Sequence, residues 1–154
     1  MIQRIQTVFL FLAIIALGAF NTFPYWQGVT KGDDENNLLM SYGFARMIDG
    51  ELSIQYGLYP VVAGISAVAL IIMLIEILQY KNRILQLKLA IGNSILMSIN
   101  LVLMTYFIIN LQEEYQGSFG IGIFIFAVAM LLNILARRFI QKDERLVRSV
   151  DRLR

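Results

Sequence analysis

The run YPVVAGISAVALIIMLIEIL, residues 59–78, decides the fold. Its one charge is Glu76, two positions from the end. About 20 apolar residues in a helix cover the roughly 30 Å of a bilayer's hydrocarbon. A buried helix of a soluble domain carries a polar face at helical period, and this run has none. Residues 5–23, 89–111 and 119–136 read the same way, so the expectation is four transmembrane helices. Composition agrees. The 154 residues are 58% hydrophobic and 16% charged, whereas an average soluble domain is about half apolar and about a quarter charged. A chain this short has too much surface to hide that excess in water.

The first run also resembles a secretory signal, with small residues at Ala16, Gly18 and Ala19. Apolar character continues through Phe20, Phe23, Pro24, Tyr25 and Trp26, which reads as an interfacial anchor on a retained span. The connections then set the orientation. Arg4, the 79–88 connection and the segment after Ala136 hold eleven Lys and Arg, against Lys31 and Arg46 on the other side. Basic residues stay on the cytoplasmic side, so both ends are expected there.

Outside the membrane, Asp49-Gly50 between two apolar runs signals a two-residue hairpin turn. The expected fold is therefore all-α: four transmembrane helices, a small extracytoplasmic β-hairpin within residues 24–58, and a cytoplasmic helical tail. The chain divides into a transmembrane domain, 1–136, and a basic tail, 137–154. Leu146, Val150 and Leu153 give that tail one thin apolar stripe. Arg4 at the N-terminus and Arg145, Arg148 and Arg152 in the tail are the candidate contacts to a partner or to anionic lipid, where each cation contributes roughly 1 kcal/mol.

With neither cysteine nor histidine, the chain has no thiol chemistry, no disulfide and no His-dependent metal or haem site. Asp33, Asp34 and Glu35 lack calcium-loop spacing. Gly120-Ile-Gly122 has no phosphate-binding pattern after it. No catalytic constellation is visible, and no cofactor or metal is expected.

Polar groups inside the spans are costly unless satisfied. Counted from the span ends, Gln6, Glu76, Asn93 and Asn133 fall in one layer near the cytoplasmic boundary. Glu76 is expected to pair with Arg4 or Lys88, or to reach outward, while the asparagines bond across helices. Asn100 sits alone at mid-span, on a face with Asn93, Met97 and Met104. Ala63, Gly64 and Ala67 on the second span, and Gly122, Ala129 and Ala136 on the fourth, permit close helix approach. Phe124 and Leu131 should then point outward.

The opening MIQRIQTV (residues 1–8) and the closing KDERLVRSVDRLR (residues 142–154) resemble a family of small four-helix membrane proteins from the Bacteroidota, a domain of unknown function. The resemblance implies a bacterial inner-membrane location and brings no activity or site residue. The expected role is an accessory or scaffold subunit of a larger membrane assembly, without enzymatic activity, contacting lipid and other proteins and no nucleic acid. The alternative is a small transporter or channel using Glu76 and Asn100.

Overall fold

The computed structural model describes residues 2–30, 36–48, 51–80 and 82–151. Four helices form: α1 (Ile2–Phe20), α2 (Pro60–Leu78), α3 (Arg83–Gln112) and α4 (Ile121–Asp151). Three of them, α2, α3 and residues 121–146 of α4, are long and apolar enough to cross a membrane. In α1, residues 5–20 make a shorter apolar helix. Pro60 opens α2, where its missing N–H costs nothing. Asn82 caps α3, its side-chain oxygen accepting from the Leu85 N–H at 3.1 Å.

The all-α expectation fails. Between the helices lies a five-stranded antiparallel sheet of order β4-β3-β2-β1-β5. Its strands are β1 (Trp26–Thr30), β2 (Asn36–Met40), β3 (Gly43–Ile48), β4 (Glu51–Gln55) and β5 (Tyr115–Phe119). The expected hairpin corresponds to β3 and β4, which pair up to Ile48 opposite Glu51. Its Asp49-Gly50 turn, like the acidic tip at 33–35, lies outside the described residues. The larger error is non-local: β5 comes from the short connection between α3 and α4 and pairs with β1 along its whole length. Residues 115–119 therefore close the sheet, and α4 begins at Ile121 rather than at 119.

The β1–β5 seam, paired over five positions, is covered by one side chain. Gly28 stands opposite Gly117, and the Trp26 indole lies over both. A Cβ on Gly117 would come within 2.2 Å of the ring, and one on Gly28 within 2.5 Å. Two glycines thus leave the floor on which a fully buried tryptophan rests. Tyr115 meets the Trp26 ring edge-on at 6.4 Å, and Phe44 meets Tyr115 at 5.4 Å. Arg46 packs its guanidinium 5.6 Å from the Phe44 ring centre and 5.4 Å from that of Tyr115. It also donates to the Tyr115 hydroxyl. This cation–π contact fixes a charge on an aromatic surface.

The sheet is tied to the helix ends by main-chain bonds. Gly122 N–H donates to Pro24 O at 2.8 Å, Gly120 N–H to Tyr25 O at 3.0 Å, and Ala63 N–H to Ser41 O at 3.1 Å. Phe44 also reaches Tyr59, which stacks edge-on with Phe107 at 5.1 Å.

Overpacking at the seam gives a direct test. Gly117→Ala should destabilise the protein by about 1–3 kcal/mol, read from thermal unfolding in mild detergent. Gly64→Ala, where a Cβ meets nothing within 4 Å, should be neutral or raise stability by up to ~1 kcal/mol through helix propensity. Equal effects would dismiss the tryptophan–glycine seam.

Candidate functional site

Each helix buries a stripe spaced alternately by four and three residues. In α1 it is Gln6, Leu10, Ala13, Leu17 and Phe20. In α2 it is Val62, Ser66, Ala69, Met73 and Glu76. In α3 the stripe includes Gln86, Ala90, Asn93, Met97, Asn100 and Met104. In α4 it includes Phe126, Ala129, Asn133, Ala136 and Ile140. This 3–4 spacing is the seam pattern of helices packed at shallow angles. The small-residue expectation for α4 agrees: Ala129 and Ala136 are buried while Phe124 and Leu131 are exposed. That for α2 does not, because Gly64 and Ala67 face outward and Val62, Ser66 and Ala69 face in.

The distribution of polarity is inverted. Gln6, Ser66, Glu76, Gln86, Asn93, Asn100 and Asn133 are buried, at 2% exposure or less. Meanwhile Val8, Phe11, Ile15, Ile71, Leu74, Ile95, Ile99, Val102 and Val128 lie on the outer faces.

The buried polar groups form a ladder in place of a single layer. On the lowest rung, Gln86 Nε2 donates to the Glu76 carbonyl at 2.9 Å. Gln6 lies toward the same end, just before Phe9, whose ring stacks on Phe139 at 5.3 Å. Arg83 and Asp143, in an ion pair of 3.3 Å, mark that end of α3 and α4. On the middle rung, Asn133 Nδ2 donates to Ser94 Oγ at 3.1 Å, beside Asn93. On the upper rung, Asn100 Nδ2 donates to Val62 O at 3.3 Å, and Ser66 Oγ donates to Asn21 Oδ1 at 2.8 Å. Gln86, Asn93 and Asn100 recur at seven-residue intervals, about 10 Å apart along the helix.

Gln6 and Glu76 therefore share a level, whereas Asn93 and Asn133 sit about 10 Å deeper. The reason is the start of α3. It begins at Arg83 rather than at 89, so Asn93 is well inside the helix and Gln86 takes the boundary position. Asn100 lies level with the start of α2 rather than at its middle. Sequence reasoning missed Gln86, Ser94 and the Ser66–Asn21 pair. The available signals were Asn82 as a cap and the seven-residue recurrence of amides.

Glu76 is fully buried, and its two carboxyl oxygens accept no hydrogen bond among the described residues. Lys88, one expected partner, is exposed on α3. The side chain of Arg4, the other, lies outside the described residues, as do those of Arg148 and Arg152. Arg145 is exposed on α4. Among the described residues no three His, Cys, Asp or Glu side chains gather as a metal site requires. What the ladder does chemically is to bond helix to helix. Near the sheet, burial raises the Tyr25 hydroxyl well above the ordinary phenol range, and the neighbouring Tyr59 adds to that, so it stays neutral.

A family profile described as Domain of unknown function (DUF4293) matches residues 2–153. No curated protein matches the chain.

The middle rung should couple measurably. A double-mutant cycle with Ser94→Ala and Asn133→Ala, read from unfolding in bicelles, should return about 0.6 kcal/mol and no more than about 1.7 kcal/mol. A coupling of zero would show that the two side chains do not meet.

Proposed function

The chain belongs to the DUF4293 family, and from that premise we propose that it is an integral membrane protein acting as an accessory or scaffold subunit of a larger inner-membrane assembly. The inverted polarity of the helices carries the membrane reading. Hydrocarbon accepts the outward Ile, Leu, Val and Phe, and it leaves amides to find partners inside. The 19 residues of α1 reach about 28 Å, close to the span required. Because the α1–α2 and α3–α4 connections both enter one sheet, α1 ends and α4 begins at the sheet, and the far ends of these two helices share the opposite side. The excess of Lys and Arg on that side puts it in the cytoplasm, and the sheet outside. A source in the Bacteroidota is part of the same proposal and rests on the resemblance of residues 1–8 and 142–154.

Two surfaces support the scaffold role. The outer face of the sheet carries an open depression of about 620 Å³, lined by residues that include Gln27, Asn36 and Gln116. At the opposite end α4 continues past Asp143, the partner of Arg83 at the start of α3, as far as Asp151. That is about 12 Å of helix beyond the level where α3 starts. The transporter alternative draws on the ladder, which places Glu76, Asn93 and Asn100 at three depths. It requires water along those rungs.

The lack of native cysteine makes the topology simple to test. A single cysteine at Gln27 or Ser118 should react with an impermeant maleimide on intact cells, and one at Lys142 only after permeabilisation. The reverse pattern would invert the orientation. For the role, a mild-detergent pull-down from native membranes should recover partners that are lost when residues 142–154 are deleted. Retention of every partner would sink tail docking, and ion-dependent flux in liposomes that Glu76→Gln abolishes would replace the scaffold with a transporter.

A further inference from the structure

The outer side of α3 and α4 holds a groove that the inner seams do not explain. Its upper part is apolar, about 440 Å³, and lined by Ile91, Ile95, Ser98, Ile99, Val102 and Leu103. Ser98 donates its hydroxyl to Ser94 O at 2.9 Å, and Ser94 donates to Ala90 O at 2.8 Å. Both hydroxyls are thereby turned onto their own helix, and two small side chains leave the depression. From Ile91 to Leu103 the groove runs about 18 Å along α3, the length of a fatty acyl chain.

At the lower end the groove meets Arg137. This arginine is half-buried and makes no hydrogen bond or ion pair among the described residues. Directly below, a second depression of about 220 Å³ is lined by Leu87, Gln141, Glu144 and Arg145. Helical spacing puts Arg137, Gln141 and Arg145 on one face of α4, and Leu87, Ile91 and Ser98 on one face of α3. The two depressions are therefore one amphipathic track, apolar above and with two cations and one carboxylate below.

We propose that this track is a binding site for an anionic phospholipid of the cytoplasmic leaflet, with one acyl chain along Ile91–Leu103 and the phosphate held by Arg137 and Arg145. The inference rests on the membrane reading above. Charge complementarity selects the occupant. A half-buried arginine with no partner among the described residues suits a phosphate, which a guanidinium binds through two parallel N–H bonds. Basic pockets between helices at the cytoplasmic boundary recognise such headgroups. Glu144 opposes a headgroup of high negative charge, so a single phosphate fits best.

The test uses the full chain purified in mild detergent, stripped of lipid and titrated with phosphatidylglycerol or phosphatidylcholine under native mass spectrometry. The wild type should retain one phosphatidylglycerol in preference to phosphatidylcholine. Arg137→Gln and Arg145→Gln should each weaken that retention roughly fivefold, and Ser98→Phe should block it by filling the groove. Arg138→Gln, an exposed cation next to the track, should change nothing. Circular dichroism melting confirms that each variant is folded. Equal retention of the two lipids, or loss of binding with Arg138→Gln as large as with Arg137→Gln, would overturn the site. Release of the wild type from membranes by alkaline carbonate would instead overturn the membrane reading itself.

Discussion

Amide and carboxyl groups at Gln6, Glu76, Gln86, Asn93, Asn100 and Asn133 lie inside the helices while branched aliphatic side chains lie outside, and the rest of the structure is arranged around that inversion. Apolar burial cannot drive helices together when the surrounding solvent is itself apolar. Packing of small residues and bonds between helices must do it. Ala13, Ala69, Ala90, Ala129 and Ala136 supply the close approach on all four seams. The ladder supplies bonds at three depths, each worth little alone. Spread along the seams, they fix the register of α2 on α3 and of α3 on α4.

The sheet does for the other end what the ladder does for the interior. Strand β1 follows α1 and β5 precedes α4, so pairing Trp26–Thr30 with Tyr115–Phe119 clamps the first and last helices at one end. Those helices also meet edge to face through Phe20 and Phe126, 5.0 Å apart. A tryptophan over two glycines makes the clamp specific. Any side chain at Gly28 or Gly117 would lift the indole off the seam.

Much of the helical part was legible in the sequence, because long apolar runs carry a strong signal. The strands were not. WQGVT and YQGSF each hold a glycine and a glutamine, show no clean alternation of polar and apolar residues, and pair across most of the chain. Local pattern detects the β3–β4 hairpin, whose partners are neighbours, and misses a pairing stabilised by a ring two positions away from the glycine it covers. The polar layer was half legible. Its residue types were clear, but its depth depended on where α3 starts, and Asn82 moves that start six residues earlier than the apolar run implies. Arg137 stood out in sequence only as one basic residue among many. Its lack of a partner among the described residues and the groove above it are properties of the fold.

The inversion is tested most directly by a spin-label scan along α3 from Ile95 to Met104 in lipid bilayers. Collision with oxygen reports lipid exposure, and collision with a water-soluble nickel complex reports aqueous exposure. Oxygen accessibility should peak at Ile95, Ile99 and Val102, fall at Met97, Asn100 and Met104, and the nickel complex should reach none of them. Strong nickel accessibility at Asn100 would mean that the ladder lines a water-filled path, and at Ile99 and Val102 it would mean that the outer face meets water rather than lipid.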